Sequence, residues 1–513
     1  MRGTRLLPLA AFLIILVVVG VILKRQPVPT RLSEEVGLIR LVPQSLQVDT
    51  ISGVDLYQGA QPDDVVRLRR QEGKWVLLSH FDAPVKASKI KGFLDTISTL
   101  EGELRSDKAE LLQDFRLDEA QALHLQVYTE SAETPAVHLL AGKGDGRNGF
   151  MRVADDTRVY SVNLNVHSEA GLVGNNTEKS PEANPWMDLQ IQNVPKEQVT
   201  AVELHTPARR LRFTLQKPDT PSATDTHQAT SAQEASATPR WTLAAPDVAY
   251  AVKQGDIDGL VTTLRTLRGE DVTDPAKAAV YGLDAPLYRA ILTVKPEGQE
   301  ARQVAMLFGN EVSEQAGKRY ARLGQEGPIY IVPQWPFQRL FPKGKALLEL
   351  PGFQLQEGDM HQIALFLPGK TVRLTRPKAS PTASQDGEPA TAWALTYPRV
   401  SFAVRQDGIE TLLRRLATFT PDDLAPADGI ASSISPETLP RVEITMYDTS
   451  RHLLRLGAPF AASPTQYPLY LSGQTMPFAI DEETRKQLFP ALGMLLELNV
   501  LRVQPQDVIR LTW

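Results

Sequence analysis

The sequence has no cysteine in 513 residues, which excludes disulfides, thiolate metal sites and cysteine nucleophiles together. It also has no surplus of charge of either sign. Its 55 basic and 60 acidic residues leave a net charge of -5, spread along the chain. Without a basic stripe nothing is set up to neutralise phosphates, so nucleic acid is not an expected partner. Catalytic signatures are missing too: no H-E-x-x-H, G-x-S-x-G or G-x-x-x-x-G-K-[ST] occurs. None of the eight histidines stands three or four residues from another, the spacing that would place two metal ligands on one helix face.

Long apolar runs are confined to one place, residues 6–23, between Arg2 and Arg5 on one side and Lys24 and Arg25 on the other. At about 1.5 Å rise per residue this run covers roughly 27 Å, enough to cross a hydrocarbon core. It ends in Val-Ile-Leu and charge, with no small-residue cleavage pattern, so residues 1–31 are expected to form an uncleaved signal anchor and its flanks. The flanking charges nearly balance, but large C-terminal domains cross regardless of modest charge. The expected location is the inner (cytoplasmic) membrane, single-pass through residues 6–23, with the bulk of the chain in the periplasm or on the extracytoplasmic side.

What the remainder contains is one pattern written three times. Trp75-Val76-Leu77, Trp241-Thr242-Leu243 and Trp393-Ala394-Leu395 each precede a proline (Pro84, Pro246, Pro398). A segment of helical period follows, with apolar residues at Ile90, Phe93, Leu94, Ile97 and Leu100, at Ile257, Leu260, Leu264 and Leu267, and at Ile409, Leu412, Leu413, Leu416 and Phe419. Spacings of three and four put these side chains on one face, which has to be buried against a sheet. Alternating strand patterns precede and follow each helix, and one strand per copy ends in glycine (Gly142, Gly309, Gly457). The fold class is therefore α+β: an N-terminal transmembrane helix, then three tandem repeats, each a mainly antiparallel sheet with one packed amphipathic helix.

The repeats are placed at 46–166, 197–341 and 360–492. Low-complexity stretches at 218–239 and 377–390, rich in Ser, Thr, Ala and Pro, interrupt a hairpin in the second and third copies and are expected to be mobile insertions. The first copy has only Gln71-Glu72-Gly73 there, a tight turn. Residues 493–513 are expected to be a C-terminal strand extension, with 506–511 resembling the opening strand of a further unit.

Candidate chemistry reduces to structural roles. The loop 144–149 matches G-x-G-x-x-G, but Phe150-Met151-Arg152-Val153 behind it reads as a strand, whereas a dinucleotide site requires a helix. The acidic pairs Asp63-Asp64, Asp155-Asp156 and Asp422-Asp423 and the run Asp481-Glu482-Glu483 fall at expected turns or helix starts, where carboxylates cap backbone N–H groups. The three tryptophans suit a sheet-to-helix core. Tyr281-Gly282-Leu283-Asp284-Ala285-Pro286, echoed by Phe115-Arg116-Leu117-Asp118, reads as a compact turn. No catalytic, cofactor-binding or metal-ligating residue is assigned, and no cofactor is expected.

The anchor, the strand–W-x-L–Pro–helix unit, the Y-G-L-D-x-P turn and the strand ending Leu307-Phe308-Gly309 together resemble the domain of unknown function 4340 family. The third copy shows only 434–438 in place of the Y-G-L-D element. The resemblance covers most of the chain after Val48. It implies a bacterial, membrane-anchored, extracytoplasmic protein of the kind often encoded beside gliding-motility-type ABC transporter components, and it brings no catalytic residues. The expected function is a non-enzymatic auxiliary or scaffold subunit of a cell-envelope ABC transport system, with permease and ATPase subunits as partners. The alternative is an envelope polysaccharide- or lipid-binding module independent of a transporter.

Overall fold

In the computed structural model the described residues are 37–130, 134–172, 179–216, 238–377, 392–400, 402–426, 439–461, 463–498 and 510. The expected anchor at 6–23, nearly all of both insertions, 434–438 and most of 506–511 lie outside them. Among the described residues no helix is long and apolar enough to cross a membrane. The chain divides into two compact units, 1–188 and 189–513.

The first unit holds one sheet of ten strands. In chain order these are β1 (Ile39–Arg40), β2 (Ile51–Gln58), β3 (Gln61–Gln71), β4 (Lys74–Leu77), β5 (Ala83–Pro84), β6 (Glu101–Ser106), β7 (Leu123–Thr129), β8 (Val137–Asp145), β9 (Asn148–Val153) and β10 (Val159–Val162). The second unit holds two eight-stranded sheets. One has β11 (Val199–His205), β12 (Arg210–Gln216), β13 (Arg240–Ala245), β14 (Asp271–Thr273), β15 (Tyr288–Val294), β16 (Arg302–Glu311), β17 (Lys318–Leu323) and β18 (Ile329–Pro333). The other has β19 (Met360–Leu367), β20 (Lys370–Thr375), β21 (Ala394–Tyr397), β22 (Asp423–Leu424), β23 (Arg441–Met446), β24 (Arg451–Leu456), β25 (Gln466–Leu471) and β26 (Phe478–Asp481). The helices are α1 (Ala87–Ser98), α2 (Val166–Glu169), α3 (Gln254–Arg265), α4 (Gln334–Leu340), α5 (Gly344–Leu347), α6 (Gln406–Ala417), α7 (Glu482–Leu488) and α8 (Leu492–Leu495).

The three sheets share one strand order. Across the first it runs β4-β3-β2-β7-β8-β9-β10-β6, with β5 and β1 added at the two edges; the others run β13-β12-β11-β15-β16-β17-β18-β14 and β21-β20-β19-β23-β24-β25-β26-β22. Neighbouring strands pair antiparallel, as in the paths β3–β2–β7, β12–β11–β15 and β20–β19–β23. In each, three meandering strands lead to the long helix. The chain then reaches the opposite edge strand and returns beside the opening strand for a four-strand meander. The same bulge recurs near the start of each opening strand, at Ile51/Gly53, Val199/Ala201 and Met360/Gln362. An extra residue at one place in three sheets fixes their registers to one another column by column.

Each long helix buries the face its spacing predicts. Ile90, Phe93, Leu94 and Ile97, then Ile257, Leu260 and Leu264, then Ile409, Leu412, Leu413 and Leu416 are all buried. At about 2 kcal/mol per buried side chain, this face outweighs the weak intrinsic helicity of a 12-residue segment. The helix starts are held alike. Val85 bridges Met187, Val252 bridges Leu348 and Val404 bridges Leu496. The next amides, of Lys86, Lys253 and Arg405, donate to the carbonyls of Trp186, Leu347 and Leu495 at 2.8–2.9 Å. A leading segment pairs with the helix end through Leu41 to Leu100, Ile191 to Leu267 and Phe353 to Phe419. Each repeat thus takes in more chain at both ends than 46–166, 197–341 and 360–492.

Several expectations need correction. Residues 493–495, placed in a C-terminal strand, lie in α8, and Leu496 makes the bridge to Val404. Apolar spacing there serves closure of the third repeat. Asp63 and Asp64 lie inside β3. Trp241 and Trp393 are buried as core residues, but Trp75 is only half-buried. The first unit instead buries Trp186, whose ring meets Phe93 edge-on at 5.0 Å under Lys89. As expected, Glu72 and Gly73 make a two-residue hairpin turn with φ of 49° and 77°.

Candidate functional site

A polar cluster spanning four strands lies on one face of the first sheet. Alternation along the strands sorts the side chains. Val54, Leu56, Leu68, Leu125, Val127 and Leu139 are buried on one face. Asp55 and Tyr57 of β2, Arg67 and Arg69 of β3, His124, Gln126 and Tyr128 of β7 and His138 of β8 point to the other. Registers Asp55–Arg67, Asp55–Gln126 and Gln126–His138 draw four strands into one row, with Tyr57–His124 as the row beside it.

Asp55 is 5% exposed and is held by two guanidinium groups. Arg69 reaches it with Nη1 at 2.5 Å and Nη2 at 3.1 Å, and Arg67 with Nε at 3.4 Å. Arg69 also lies 4.8 Å from the centre of the Tyr128 ring. The Tyr128 hydroxyl donates to Gln126 Oε1 at 2.7 Å, and Gln126 Nε2 donates to the Tyr57 hydroxyl at 3.2 Å. Burial holds both tyrosines above their usual range.

Tyr57 stacks on His124 at 4.7 Å. His124 Nε2 lies 2.9 Å from the Glu119 carbonyl and Nδ1 lies 3.0 Å from His138 Nε2. A carbonyl only accepts, so Nε2 of His124 carries the hydrogen and its Nδ1 accepts from His138. That leaves His138 Nδ1 as an outward acceptor. Burial, and then the neighbouring His124, lower the His138 pKa, so the acceptor persists at neutral pH. At the end of the row Arg152 donates to the Leu117 carbonyl at 2.7 Å and to Glu119 Oε1 at 2.5 Å.

This network belongs to the first sheet alone. At the Asp55 column the other sheets carry Glu203 and Ala364; at the Gln126 column, Ile291 and Glu443; at the His138 column, Ala305 and Leu453. Arg67 alone recurs, as Arg212 and Arg373. Histidine spacing along the chain conceals the pair, because register across a hairpin joins residues 14 apart. The usable signal was L-H-L-Q-V-Y in β7 set against Y-R-A-I-L-T in β15: the positions of His124, Gln126 and Tyr128 carry Arg289, Ile291 and Thr293 in the second copy, so the central polar group is lost there.

A second feature lies in the second unit, where a cavity of about 320 Å³ opens between the segment 351–355 and the third sheet. Phe353 meets His452 there at 5.5 Å, and Gln474 accepts from the Tyr250 hydroxyl at 3.3 Å. Among the described residues no group of three or more His, Asp or Glu is placed to hold a metal ion.

The motifs singled out in the sequence take structural places. Residues 144–149 form the β8–β9 hairpin, Gly144 opposite Gly149, with a strand and not a helix behind it. Asp156 accepts from the Arg158 amide and Asp481 from the Thr484 amide at the start of α7. Asp423 accepts from the Gly344 amide at the start of α5, and it pairs with the buried Arg209. Asp422 takes Lys343 and Lys345 at 2.8 and 2.5 Å. This acidic pair therefore links the two sheets of the second unit.

With these features in place, the class of protein is a repeated α+β sheet protein whose polar groups are mostly paired with one another. A family model described as Domain of unknown function (DUF4340) matches residues 75–240 and 241–439, and the chain belongs to that family. Comparison with curated proteins and with solved structures returns no match.

Proposed function

We propose that this chain is a non-enzymatic auxiliary or scaffold subunit of a cell-envelope ABC transport system, anchored through residues 6–23 with its sheets on the extracytoplasmic side. The observation that carries this reading is the use of one sheet plan three times. The polar network of the first sheet consists of paired donors and acceptors, with no nucleophile set against a base. Repetition of a closed unit enlarges surface without adding chemistry, which suits a protein that holds partners. The transporter itself is what the family resemblance implies.

The test is isolation from native membranes in mild detergent, with an anchor-deleted version as control. Permease and ATPase subunits are expected to accompany the intact chain only. Transport reconstituted at the same rate with and without the chain, and no association, would remove the transporter role. The cavity at 351–355 and the polar face of the first sheet favour one second reading, an envelope polysaccharide- or lipid-binding module independent of a transporter.

A further inference from the structure

The polar face of the first sheet keeps hydrogen-bonding capacity after its internal pairing is complete. Arg67 uses only Nε on Asp55, and its side chain is 43% exposed, so both Nη groups face solvent. Gln126 has a second amide hydrogen, Tyr57 has its hydroxyl hydrogen, and His138 has Nδ1. At Asp55 two guanidinium groups stand against one carboxylate, a local surplus of positive charge at the Arg67 end of the row, while Glu119, paired with Arg152, and Asp155 act at the His138 end. Arg67, Gln126 and His138 lie on β3, β7 and β8 with β2 between, a reach of three strand spacings, about 14 Å. That is the length of an extended ligand and not of a small ion.

The same geometry argues against a peptide. β3, β2, β7 and β8 are interior strands whose ladders are paired on both sides, so no sheet edge is offered for strand addition. Recognition has to come from polar side chains laid out in a plane, donors mixed with one acceptor, and that suits a ligand rich in hydroxyls. We propose that this face binds an acidic saccharide, a chain of hydroxylated rings bearing carboxylates, with Arg67 taking a carboxylate and Gln126, Tyr57 and His138 taking hydroxyls. The proposal rests on the binding-module reading for its ligand class, and it leaves the transporter reading untouched.

The test is calorimetry of the full-length protein in detergent with trigalacturonic acid, maltotriose and hexaglutamate as probes. Trigalacturonic acid is expected to bind and the other two to bind much more weakly. Arg67→Ala and the pair Gln126→Ile with His138→Ala are each expected to weaken binding by roughly tenfold or more. The pair copies what the second sheet carries at those columns, Ile291 and Ala305, so the strand pattern is kept. Arg373→Ala, at the Arg67 column of the third sheet, is expected to change nothing. Trigalacturonate binding that survives the first-sheet variants would overturn this site while sparing the binding-module reading. Stronger binding of maltotriose would overturn the acidic specificity, and equal binding of hexaglutamate would show a charge-only or peptide site. No binding of either saccharide would overturn this proposal and leave the binding-module reading to its lipid form.

Discussion

Gly142 and Gly309 show what a single residue contributes. A methyl group on Gly142 would come 2.2 Å from the Phe115 carbonyl oxygen, and one on Gly309 would come 2.1 Å from that of Tyr281. The next amides, of Lys143 and Asn310, donate to those carbonyls at 2.9 and 2.7 Å. β8 and β16 run on past these glycines, which sit inside the strands and not, as expected, at their ends. Turn and glycine are thus two halves of one contact, backbone against backbone. Gly309→Ala should destabilise the protein by roughly 1–3 kcal/mol. Gly92→Ala, inside α1 with open space around it, should stabilise by about 0.5–1 kcal/mol. Urea midpoints moving in opposite directions would verify the pair. A different residue sets pH dependence. Burial, and then the charge of Arg116, pull the His167 pKa from 6.5 to about 4. The unfolded chain therefore binds more protons between those values, so stability is full above pH 6.5 and falls as pH drops towards 4. The loss amounts to roughly 3 kcal/mol at most. His167→Gln should flatten the fall in urea midpoint between pH 7.5 and pH 5.

At the scale of the element, the long helices do more than cover a sheet. Gln254 and Gln406 each open a helix. Their side-chain oxygens accept from the Trp241 and Trp393 amides at 2.8 and 3.0 Å, and their side-chain nitrogens donate to the same residues' carbonyls at 2.9 Å. An amide side chain thereby stands in for a neighbouring strand at the sheet edge. In the first sheet a strand takes that place: β5 pairs with β4, and the Val85 amide donates to the Trp75 carbonyl. Gln406→Ala should cost about 1–2 kcal/mol and speed hydrogen exchange at the Trp393 amide; unchanged exchange there would count against the bridge. The helices and the tryptophan strands were legible because burial imposes a period on many residues at once. The Gln–Trp bridge was not, since it depends on one side chain 13 residues away. The edge strands β14 and β22, three and two residues long, are too short to show any period. The polar face of the first sheet was hidden differently: each strand alone reads as ordinary alternation, and only the register across β3, β2, β7 and β8 assembles it.

For the whole molecule, the family segments and the folded units are out of phase. The matched segments 75–240 and 241–439 each begin at a tryptophan, but the first stops just before Trp241 whereas the second runs past Trp393 and α6 into the third sheet. The first compact unit closes at residue 188. In a tandem array sequence similarity repeats from any starting point, whereas a sheet requires all its strands. The segment 75–240 omits β2 and β3, and β2 pairs with both β3 and β7 at the middle of its sheet. It also carries β11 and β12 without β15, against which β11 packs. A fragment cut at the family limits would therefore expose the buried faces of Leu125, Val127 and Leu139, and of Val202 and Leu204. A fragment of residues 37–188 keeps all ten strands of the first sheet, α1 and the Val85–Met187 bridge that closes it. It should unfold cooperatively in urea and show dispersed amide resonances, whereas residues 75–240 should show neither. Cooperative unfolding of 75–240 would mean that the order of strands in the sheet does not define the folding unit, and the division at residue 188 would have to be redrawn.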